Sequence, residues 1–258
     1  MDVAMSQPVC VRCGGTGVLI VERGGVSGAQ RCDCVLEQRA LRLEEEATIP
    51  PLYRNASLDN FVLPKDNPTA NRELGAVVNT VRVFAREFPM AKRPGLLLTG
   101  EPGGGKTHLA VAAMRRLMAR GFEGLYCDYQ YLLDRIRSSY NPASGASDRE
   151  AYQNALECEV LLLDDLGAHR VTDWVLDTVT SIITYRCNNR KPLIATTNLP
   201  DPDAGDAVVE RSSSLPGQVT YRETLADRVG TRARSRLFEM CRVVRMPLVE
   251  DYRVRRLR

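Results

Sequence analysis

The sequence predicts an α/β protein in which helices cover both faces of a parallel β-sheet. Two patterns alternate along most of the chain: short segments in which every residue is apolar, and longer segments with apolar residues at helical spacing. Residues 160–163 show the first pattern. Strands that are apolar at every position are buried on both faces, as in sheets whose parallel strands are joined by helices. A glycine-rich segment at 100–107 connects one such strand to one such helix, which is also typical of this fold class.

The individual elements follow from these patterns in chain order. Residues 35–47 and 71–88 have the apolar spacing of helices. Pro50 and Pro51 separate them, because proline cannot continue a helix. Strands are then predicted at residues 96–98, 124–127, 160–164, 193–197 and 242–246. Helices are predicted between and after these strands at residues 106–120, 129–139, 148–157, 174–189 and 225–240.

Length and composition indicate one full-sized domain with a small N-terminal appendage. The chain has 258 residues, 44% of them hydrophobic and 26% charged, and a formal net charge of +3. These values are ordinary for a globular protein. We expect the appendage at residues 1–47 and the main domain at residues 48–258. The sequence has no apolar run of about 18 residues and no signal peptide, so we expect a cytoplasmic protein without a membrane span.

Residues 100–107 carry the most specific signal in the chain. They read Gly100, Glu101, Pro102, Gly103, Gly104, Gly105, Lys106 and Thr107, the P-loop pattern G-x-x-x-x-G-K-T. The glycines let backbone N–H groups converge on phosphate oxygens, and the following helix directs the positive end of its dipole at the same anion. We expect this segment and the adjoining His108 to bind nucleotide, with Lys106 on the phosphates and Thr107 on Mg²⁺. A chance glycine-rich turn is the alternative.

A pair of carboxylates ends the predicted strand at 160–164. Asp164 and Asp165 stand at its carboxyl end, and we expect this strand to lie beside the strand that precedes the P-loop. An unpaired buried carboxylate is costly, which favours a functional reason for these residues. We assign Asp164 to Mg²⁺ and Asp165 to activation of the attacking water. The second residue of the pair, Asp165, stands where glutamate is more frequent. Because aspartate is shorter, we expect intrinsic hydrolysis to be slow.

The next predicted strand, at 193–197, runs into Asn198. An amide at a strand end can hydrogen-bond the γ-phosphate and the attacking water together. The alternative is a turn or cap residue before Pro200. The order of P-loop, acidic strand and polar strand end favours a catalytic role for Asn198.

The N-terminal appendage contains a cluster of cysteines. Cys10, Cys13, Cys32 and Cys34 have the spacing C-x₂-C-x₁₈-C-x-C. Clustered cysteines in a chain without secretory signals indicate metal binding more than disulfides. Four thiolates suit tetrahedral Zn²⁺, and a bound zinc would order a segment too small to fold alone. Free thiols are the alternative.

Aromatic and basic residues are interleaved after the second strand of the main domain. They are Tyr126, Tyr129, Tyr131, Arg135, Arg137 and Tyr140. Such a surface can stack bases and neutralise the phosphates of single-stranded DNA, and the candidates for these contacts are Arg135, Arg137 and Tyr140. Aromatic residues at helical spacing can equally pack in the core, and the sequence leaves both interpretations open.

The order of these motifs resembles that of the AAA+ ATPases. Residues 100–107 correspond to Walker A, residues 160–165 to Walker B and Asn198 to sensor 1. Further segments are similar to the DnaC-type helicase loaders, their DnaI relatives and the IstB-like ATP-binding proteins. These segments are the cysteine cluster and residues 49–53, 59–61, 230–237 and 250–253.

This resemblance implies a RecA/AAA+-like fold with a small N-terminal zinc-binding module. Many AAA+ proteins carry a helical lid after the core, but because this sequence stops a few residues after Arg253 we expect no C-terminal lid domain. It implies that Arg236 is an arginine finger that enters the ATP site of a neighbouring copy. Arg253 resembles the sensor 2 arginine at the γ-phosphate of its own site. By family position, Tyr53 and Phe61 border the adenine.

The function implied by the resemblance is ATP-dependent loading of a DnaB-type replicative helicase onto single-stranded DNA during replication initiation. The loader would act as a homo-oligomer with ATP, Mg²⁺ and structural Zn²⁺, and its cysteine module would bind the helicase. An IstB-type ATPase that assists a transposase on duplex DNA is the alternative. A third possibility is a nucleotide-gated adaptor with negligible turnover.

Overall fold

The computed structural model describes residues 9–139, 146–211 and 219–255, and it confirms the predicted α/β fold class. The strands are β1 (Val18–Arg23), β2 (Val26–Arg31), β3 (Gly95–Thr99), β4 (Gly124–Asp128), β5 (Val160–Asp164), β6 (Leu193–Thr197), β7 (Val209–Arg211), β8 (Val219–Tyr221) and β9 (Cys241–Arg245). The helices are α1 (Asp33–Glu46), α2 (Pro68–Glu87), α3 (Lys106–Met118), α4 (Tyr129–Ser138), α5 (Ala146–Glu157), α6 (Asp173–Asn188), α7 (Leu225–Val229), α8 (Thr231–Met240) and α9 (Tyr252–Arg255).

Within these ranges the central sheet has five strands in the order β4-β5-β6-β3-β9, all of them parallel. The strand order corrects one expectation. We placed β5, which ends in Asp164, beside β3, but β6 lies between them. Apolar periodicity predicts that a strand is buried and does not encode its neighbours in the sheet.

The sheet separates two hydrophobic clusters, one on each face. Leu96 and Leu98 of β3 belong to the cluster that α2 and α3 cover, whereas Leu97 belongs to the cluster that α4, α6 and α8 cover. Successive side chains of a strand point to opposite faces, so a strand covered on both sides needs an apolar residue at every position. This accounts for the continuous apolar runs in the sequence.

The N-terminal residues form a short antiparallel hairpin followed by a helix. β1 pairs with β2, and α1 begins directly after Cys32. No apolar pattern in the sequence predicts this hairpin, because its residues are largely exposed. The C-terminal end of α1 packs on the main domain through Leu43 and Ala47.

The predicted helix at 225–240 is divided in two. Gly230 has φ 86° and ends α7, and α8 starts at the next residue. This backbone conformation favours glycine, so the break is local in origin. Within the described ranges, no helix has the length and apolar character needed to cross a membrane.

Candidate nucleotide-binding site

The carboxyl ends of β3, β5 and β6 open into a cleft of about 330 Å³. The cleft is lined by Leu52, Tyr53, Pro102, Gly103, Gly105, Lys106, Thr107, His108, Asp164, Asp165, Asn198, Tyr252 and Arg253. Residues from five separate parts of the chain therefore meet at one edge of the sheet. Ligands of open α/β sheets bind at this edge, because the loops and helix N-termini point there.

The P-loop wraps around the side chain of its own lysine. Lys106 is 5% exposed, and its Nζ donates to the carbonyl oxygens of Gly100 at 2.8 Å and Glu101 at 2.7 Å. Burial lowers the pKa of Lys106 to about 8, although nearby carboxylates favour its charged form. A phosphate group in the loop supplies the anionic partner that a buried ammonium requires, so the loop suits a nucleotide.

Close packing explains why the P-loop residue before Lys106 is glycine. Gly105 has φ 93°, and a Cβ atom there would lie 2.7 Å from the ring of Phe61. That ring lies behind the loop, stacked on Tyr252 with ring centroids 4.7 Å apart. Among the described residues, Phe61 does not line the cleft, in contrast to its expected place beside the adenine, whereas Tyr53 does.

Asp164 is held by three hydroxyl groups. Its Oδ1 accepts from Thr107 at 3.0 Å and from Thr196 at 2.6 Å, and its Oδ2 accepts from Tyr126 at 2.9 Å. Burial raises the pKa of Asp164, and the three hydrogen bonds oppose this by stabilising the carboxylate. Thr107 and Asp164 thus present adjacent oxygen atoms, the ligand type that Mg²⁺ prefers.

Asp165 and Asn198 are in contact across two neighbouring strands. Asn198 Nδ2 donates to Asp165 Oδ1 at 3.2 Å. The Asp165 backbone has φ 54°, and its N–H donates to Thr196 Oγ1 at 2.9 Å. This conformation turns the chain sharply after Asp164. The Asp164 carboxylate therefore faces the three hydroxyl groups, whereas the Asp165 carboxylate faces Asn198. An acceptor and an amide donor therefore stand side by side at the cleft.

The last described residues pack on the P-loop. The backbone N–H of Tyr252 donates to the Gly103 carbonyl at 2.7 Å. This contact carries Arg253 to the cleft, where its side chain is 79% exposed. His108 is buried, with Nε2 2.9 Å from the Ser57 carbonyl and Nδ1 3.3 Å from Tyr252 Oη. His108 therefore supports the C-terminal segment as well as lining the cleft.

Arg236 is placed away from this group. It lies on α8, is 43% exposed and forms an ion pair with Glu239 at 2.6 Å. Within the described part of the chain it does not line the cleft of its own copy. Its exposure leaves it accessible to a neighbouring molecule.

The interleaved aromatic and basic residues divide into two groups. Tyr126 and Tyr129 are buried, so these two follow the core interpretation. The Arg135 guanidinium lies 5.9 Å from the centroid of the Tyr131 ring, and Arg137 lies 5.2 Å from that of Trp174. Tyr140 lies outside the described residues. The structure therefore does not bring the three candidate DNA-contacting residues into one described site.

The four N-terminal cysteines converge on one point. Their Sγ atoms all lie within 4.8 Å of one another, with Cys10 3.8 Å from Cys32 and Cys13 3.5 Å from Cys34. Four thiolates around tetrahedral zinc stand about 3.8 Å apart, given Zn–S bonds of about 2.3 Å. These separations are far too long for disulfides. The donor set and its spacing therefore fit Zn²⁺.

Two side chains that hold Asp164 at the nucleotide-binding cleft were not predicted from the sequence. Thr196 bridges Asp164 and the Asp165 backbone, and Tyr126 binds the other oxygen of Asp164. Consecutive threonines at the end of an otherwise apolar strand could have indicated Thr196. No local signal marks Tyr126, because its partner is 38 residues away.

A model of a known protein family matches the central part of the chain. The family is described as "IstB-like ATP binding protein", and the match covers residues 83–209. The matched segment includes the P-loop, Asp164 and Asn198. The cysteine cluster, Arg236 and Arg253 lie outside it.

Individual proteins match more of the chain. The phage-like element PBSX protein XkdC of Bacillus subtilis (strain 168) is 26% identical over 250 residues, which are 90% of this chain and 79% of XkdC. The replicative helicase loader DnaC of Escherichia coli (strain K12) is 22% identical over 165 residues, 63% of this chain and 64% of that protein. A crystal structure of the DnaC helicase loader matches with a TM-score of 0.59 and 32% identity, covering 77% of this chain and 100% of that chain.

Proposed function

The chain belongs to the DnaC-type helicase-loader family of AAA+ ATP-binding proteins, and from this premise we propose that it binds Mg·ATP and hydrolyses it to ADP and phosphate. The observation that carries the proposal is the shared cleft. This cavity is lined by side chains from four distant parts of the sequence, namely Lys106 with Thr107, Asp164, Asn198 and Arg253.

Each residue at the cleft has a chemical task in an in-line attack of water on the γ-phosphate. Lys106 and Arg253 neutralise charge on the transferred group, as cationic side chains do in phosphoryl transfer. Asp165 orients the attacking water and accepts its proton, and Asn198 holds both Asp165 and the water in position. Thr107 and Asp164 would hold Mg²⁺, which would supply neutralisation of charge on the phosphates.

Hydrolysis is completed by a second copy of the chain. Arg236 is exposed and remote from its own cleft, so we assign it to the site of a neighbouring copy in a homo-oligomer. A guanidinium supplied by a neighbour stabilises the transition state, and turnover is slow without it. This arrangement makes hydrolysis depend on assembly.

The test of nucleotide binding compares two lysine variants by calorimetric titration with ATP in the presence of Mg²⁺. Lys106→Ala removes a charge-assisted contact and should raise the Kd by about 10- to 100-fold. Lys92→Ala removes an exposed lysine of the same type and should leave the Kd unchanged. An unchanged Kd in Lys106→Ala, or no binding of ATP by the unaltered protein, would overturn the proposal.

The client of this ATPase is a DnaB-type replicative helicase, which the protein delivers onto single-stranded DNA in the cytoplasm. The helicase-loader relatives support this assignment. The zinc-ordered N-terminal module, residues 1–47, is the helicase-docking part, and residues 48–258 are the ATPase domain. Arg135, Arg137 and Tyr140 are assigned to the DNA.

The alternative implied by the sequence resemblance to IstB-type ATPases is a transposase as the client. Capture experiments with the full-length protein distinguish the two. Retention of the host's replicative helicase, lost after Cys32→Ser, supports the loader. Retention of a transposase with no helicase bound contradicts it. Binding of the helicase without any ATP turnover would identify the nucleotide-gated adaptor.

A further inference from the structure

Tyr126 connects the Walker B carboxylate to the edge of the sheet. Its hydroxyl donates to Asp164 Oδ2, while Thr107 and Thr196 donate to Oδ1. Among the described residues Tyr126 is therefore the donor that fixes the second oxygen of Asp164. A carboxylate held at both oxygens has one orientation, which is what a metal ligand requires.

The backbone of Tyr126 is held from outside the sheet. β4 is an edge strand, and Tyr126 pairs with Leu162 of β5 on its inner side. On the outer side, the Tyr126 N–H donates to the Ala47 carbonyl at 2.9 Å. Thr48 Oγ1 lies 2.7 Å from the Tyr126 carbonyl and 2.7 Å from the Ala47 carbonyl, so its one proton is shared between them. Both outward polar groups of Tyr126 are thus satisfied by the two residues that follow α1.

Thr48 adopts an unusual conformation to make this contact. Its φ is 58°, in the left-handed region that a β-branched residue rarely occupies. Such a conformation persists where the surrounding structure fixes it. Here the neighbouring residues Ala47 and Ile49 are both buried in the core. These two buried neighbours fix the backbone of Thr48, and this conformation places its hydroxyl next to the Tyr126 carbonyl.

The same helix that ends at this contact begins at the cysteine cluster. α1 starts directly after Cys32 and includes Cys34. Near its other end, Glu44 accepts two hydrogen bonds from Arg115 of α3, the helix that follows the P-loop. The position of α1 is consequently tied both to the N-terminal module and to the nucleotide site.

We propose that Tyr126 is a positioning residue for the magnesium ligand Asp164. Residues 47–48 hold Tyr126 in place, and the position of α1 on the main domain therefore controls magnesium binding. The inference rests on the proposed binding of Mg·ATP. It assigns a regulatory input to that site: a partner that moves the N-terminal module acts on Asp164 through α1, Thr48 and Tyr126.

The first test uses Tyr126→Phe and a matched control, Tyr129→Phe. Tyr129 is also buried, three residues further on, and its hydroxyl has no hydrogen-bond partner in the described structure. A fluorescent ATP analogue is titrated in EDTA and then at increasing Mg²⁺. Tyr126→Phe should leave the Kd for the analogue in EDTA unchanged. It should raise the Mg²⁺ midpoint, the Mg²⁺ concentration that gives half of the Mg²⁺-dependent change in analogue binding, by about tenfold. Tyr129→Phe should change neither.

The second test concerns the connector. Thr48→Ala removes the hydroxyl and Thr48→Ser keeps it. Thr48→Ala should raise the Mg²⁺ midpoint, as Tyr126→Phe does. The separate variant Thr48→Ser should keep the wild-type midpoint. Combined with Tyr126→Phe, Thr48→Ala should add nothing further, because both changes act on one contact path.

The outcomes separate this inference from the proposed function. If the unaltered protein binds no nucleotide, the proposed function fails. If it binds nucleotide with a clear Mg²⁺ dependence and Tyr126→Phe behaves like Tyr129→Phe, only the positioning role of Tyr126 fails. If Thr48→Ala and Thr48→Ser both match the wild type while Tyr126→Phe does not, Tyr126 acts independently of α1 and the regulatory part is overturned.

Discussion

Two buried cations show how single residues of this protein differ in purpose. Arg186 is fully buried and donates to the backbone carbonyls of Ala155, Leu156, Cys158, Glu159 and Pro192. It joins the end of α5 to the starts of β5 and β6, so its role is structural. Lys106 has two carbonyl partners and faces a cleft. Burial lowers the pKa of both cations, but only Lys106 stands at a cleft with room for an anionic partner.

The pKa of Lys106 predicts that ATP binding weakens above pH 8. Without ligand, burial sets this pKa at about 8, and a bound phosphate raises it. Below pH 8 the lysine is already protonated and binding takes up no proton. Above pH 8 binding requires proton uptake, so the Kd rises with pH by at most about tenfold per unit. Calorimetry at pH 9 in buffers of different ionisation enthalpy should detect that uptake.

The lysine variant provides the control for this pH dependence. Lys106→Ala should bind weakly, and its Kd should not change between pH 7.5 and pH 9, values chosen to span about 8. Equal Kd values for the unaltered protein across this interval would show that Lys106 does not titrate there.

At the scale of elements, α8 presents two arginines with opposite surroundings. Arg234 donates from Nε and Nη2 to both oxygens of Asp201, which is 1% exposed and follows the strand end at Asn198. Arg236, two residues later, is paired with an exposed glutamate. One arginine therefore fixes the helix to the segment after β6, and the other remains available at the surface.

This difference predicts unequal effects on stability. Arg234→Ala leaves the Asp201 carboxylate buried without its partner and should lower the free energy of unfolding by about 3 kcal/mol. Arg236→Ala removes an exposed pair and should leave the free energy of unfolding close to that of the unaltered protein. Urea denaturation followed by circular dichroism measures both. Equal losses would contradict the distinction.

The role of Arg236 in a neighbouring site has its own control. Arg236→Ala should fold normally and lose ATP turnover. Mixing it with Lys106→Ala should restore part of the turnover, because mixed oligomers contain a site with both residues intact. No recovery on mixing would place Arg236 outside the catalytic site.

At the scale of the whole molecule, the N-terminal module and the main domain are stabilised differently. The main domain has two large hydrophobic clusters. Residues 9–42 of the module expose apolar side chains such as Val11 and Ile20 and, among the described side chains, bury Cys32, whereas Leu43 and Ala47 pack in the core of the main domain. A segment that buries so little apolar surface would need a bound metal for its order.

We therefore predict that zinc is bound by the module and that its loss spares the ATPase domain. Cys32→Ser should reduce zinc content from about one per chain, measured by mass spectrometry of the metal. Binding of ATP in EDTA and the thermal unfolding of the main domain should be retained. Cys187→Ser, a cysteine outside the cluster, should keep its zinc. Full zinc content in Cys32→Ser would contradict the assignment.

Sequence patterns predicted the strands of the sheet closely and the boundaries of the larger helices to within a few residues. They also pointed to the P-loop, Asp164, Asp165 and Asn198, which the structure places at one cleft, and to the four cysteines, which it places in one cluster. These features are local: a motif or an apolar run depends on residues within about one element of each other. The hairpin of the module and the break at Gly230 were not predicted, because exposed strands and single glycines leave weak signals.

What the sequence determined by itself was the set of chemical groups and the fold class that carries them. Tertiary structure alone decided which groups meet. The insertion of β6 between β3 and β5 brings Thr196 to Asp164, and the edge position of β4 lets Tyr126 join Asp164 to Thr48. Thr196 and Asp164 are 32 positions apart in the sequence, and Tyr126 and Asp164 are 38 positions apart. These contacts depend on strand order, and strand order is fixed by the packing of the whole chain rather than by any local pattern.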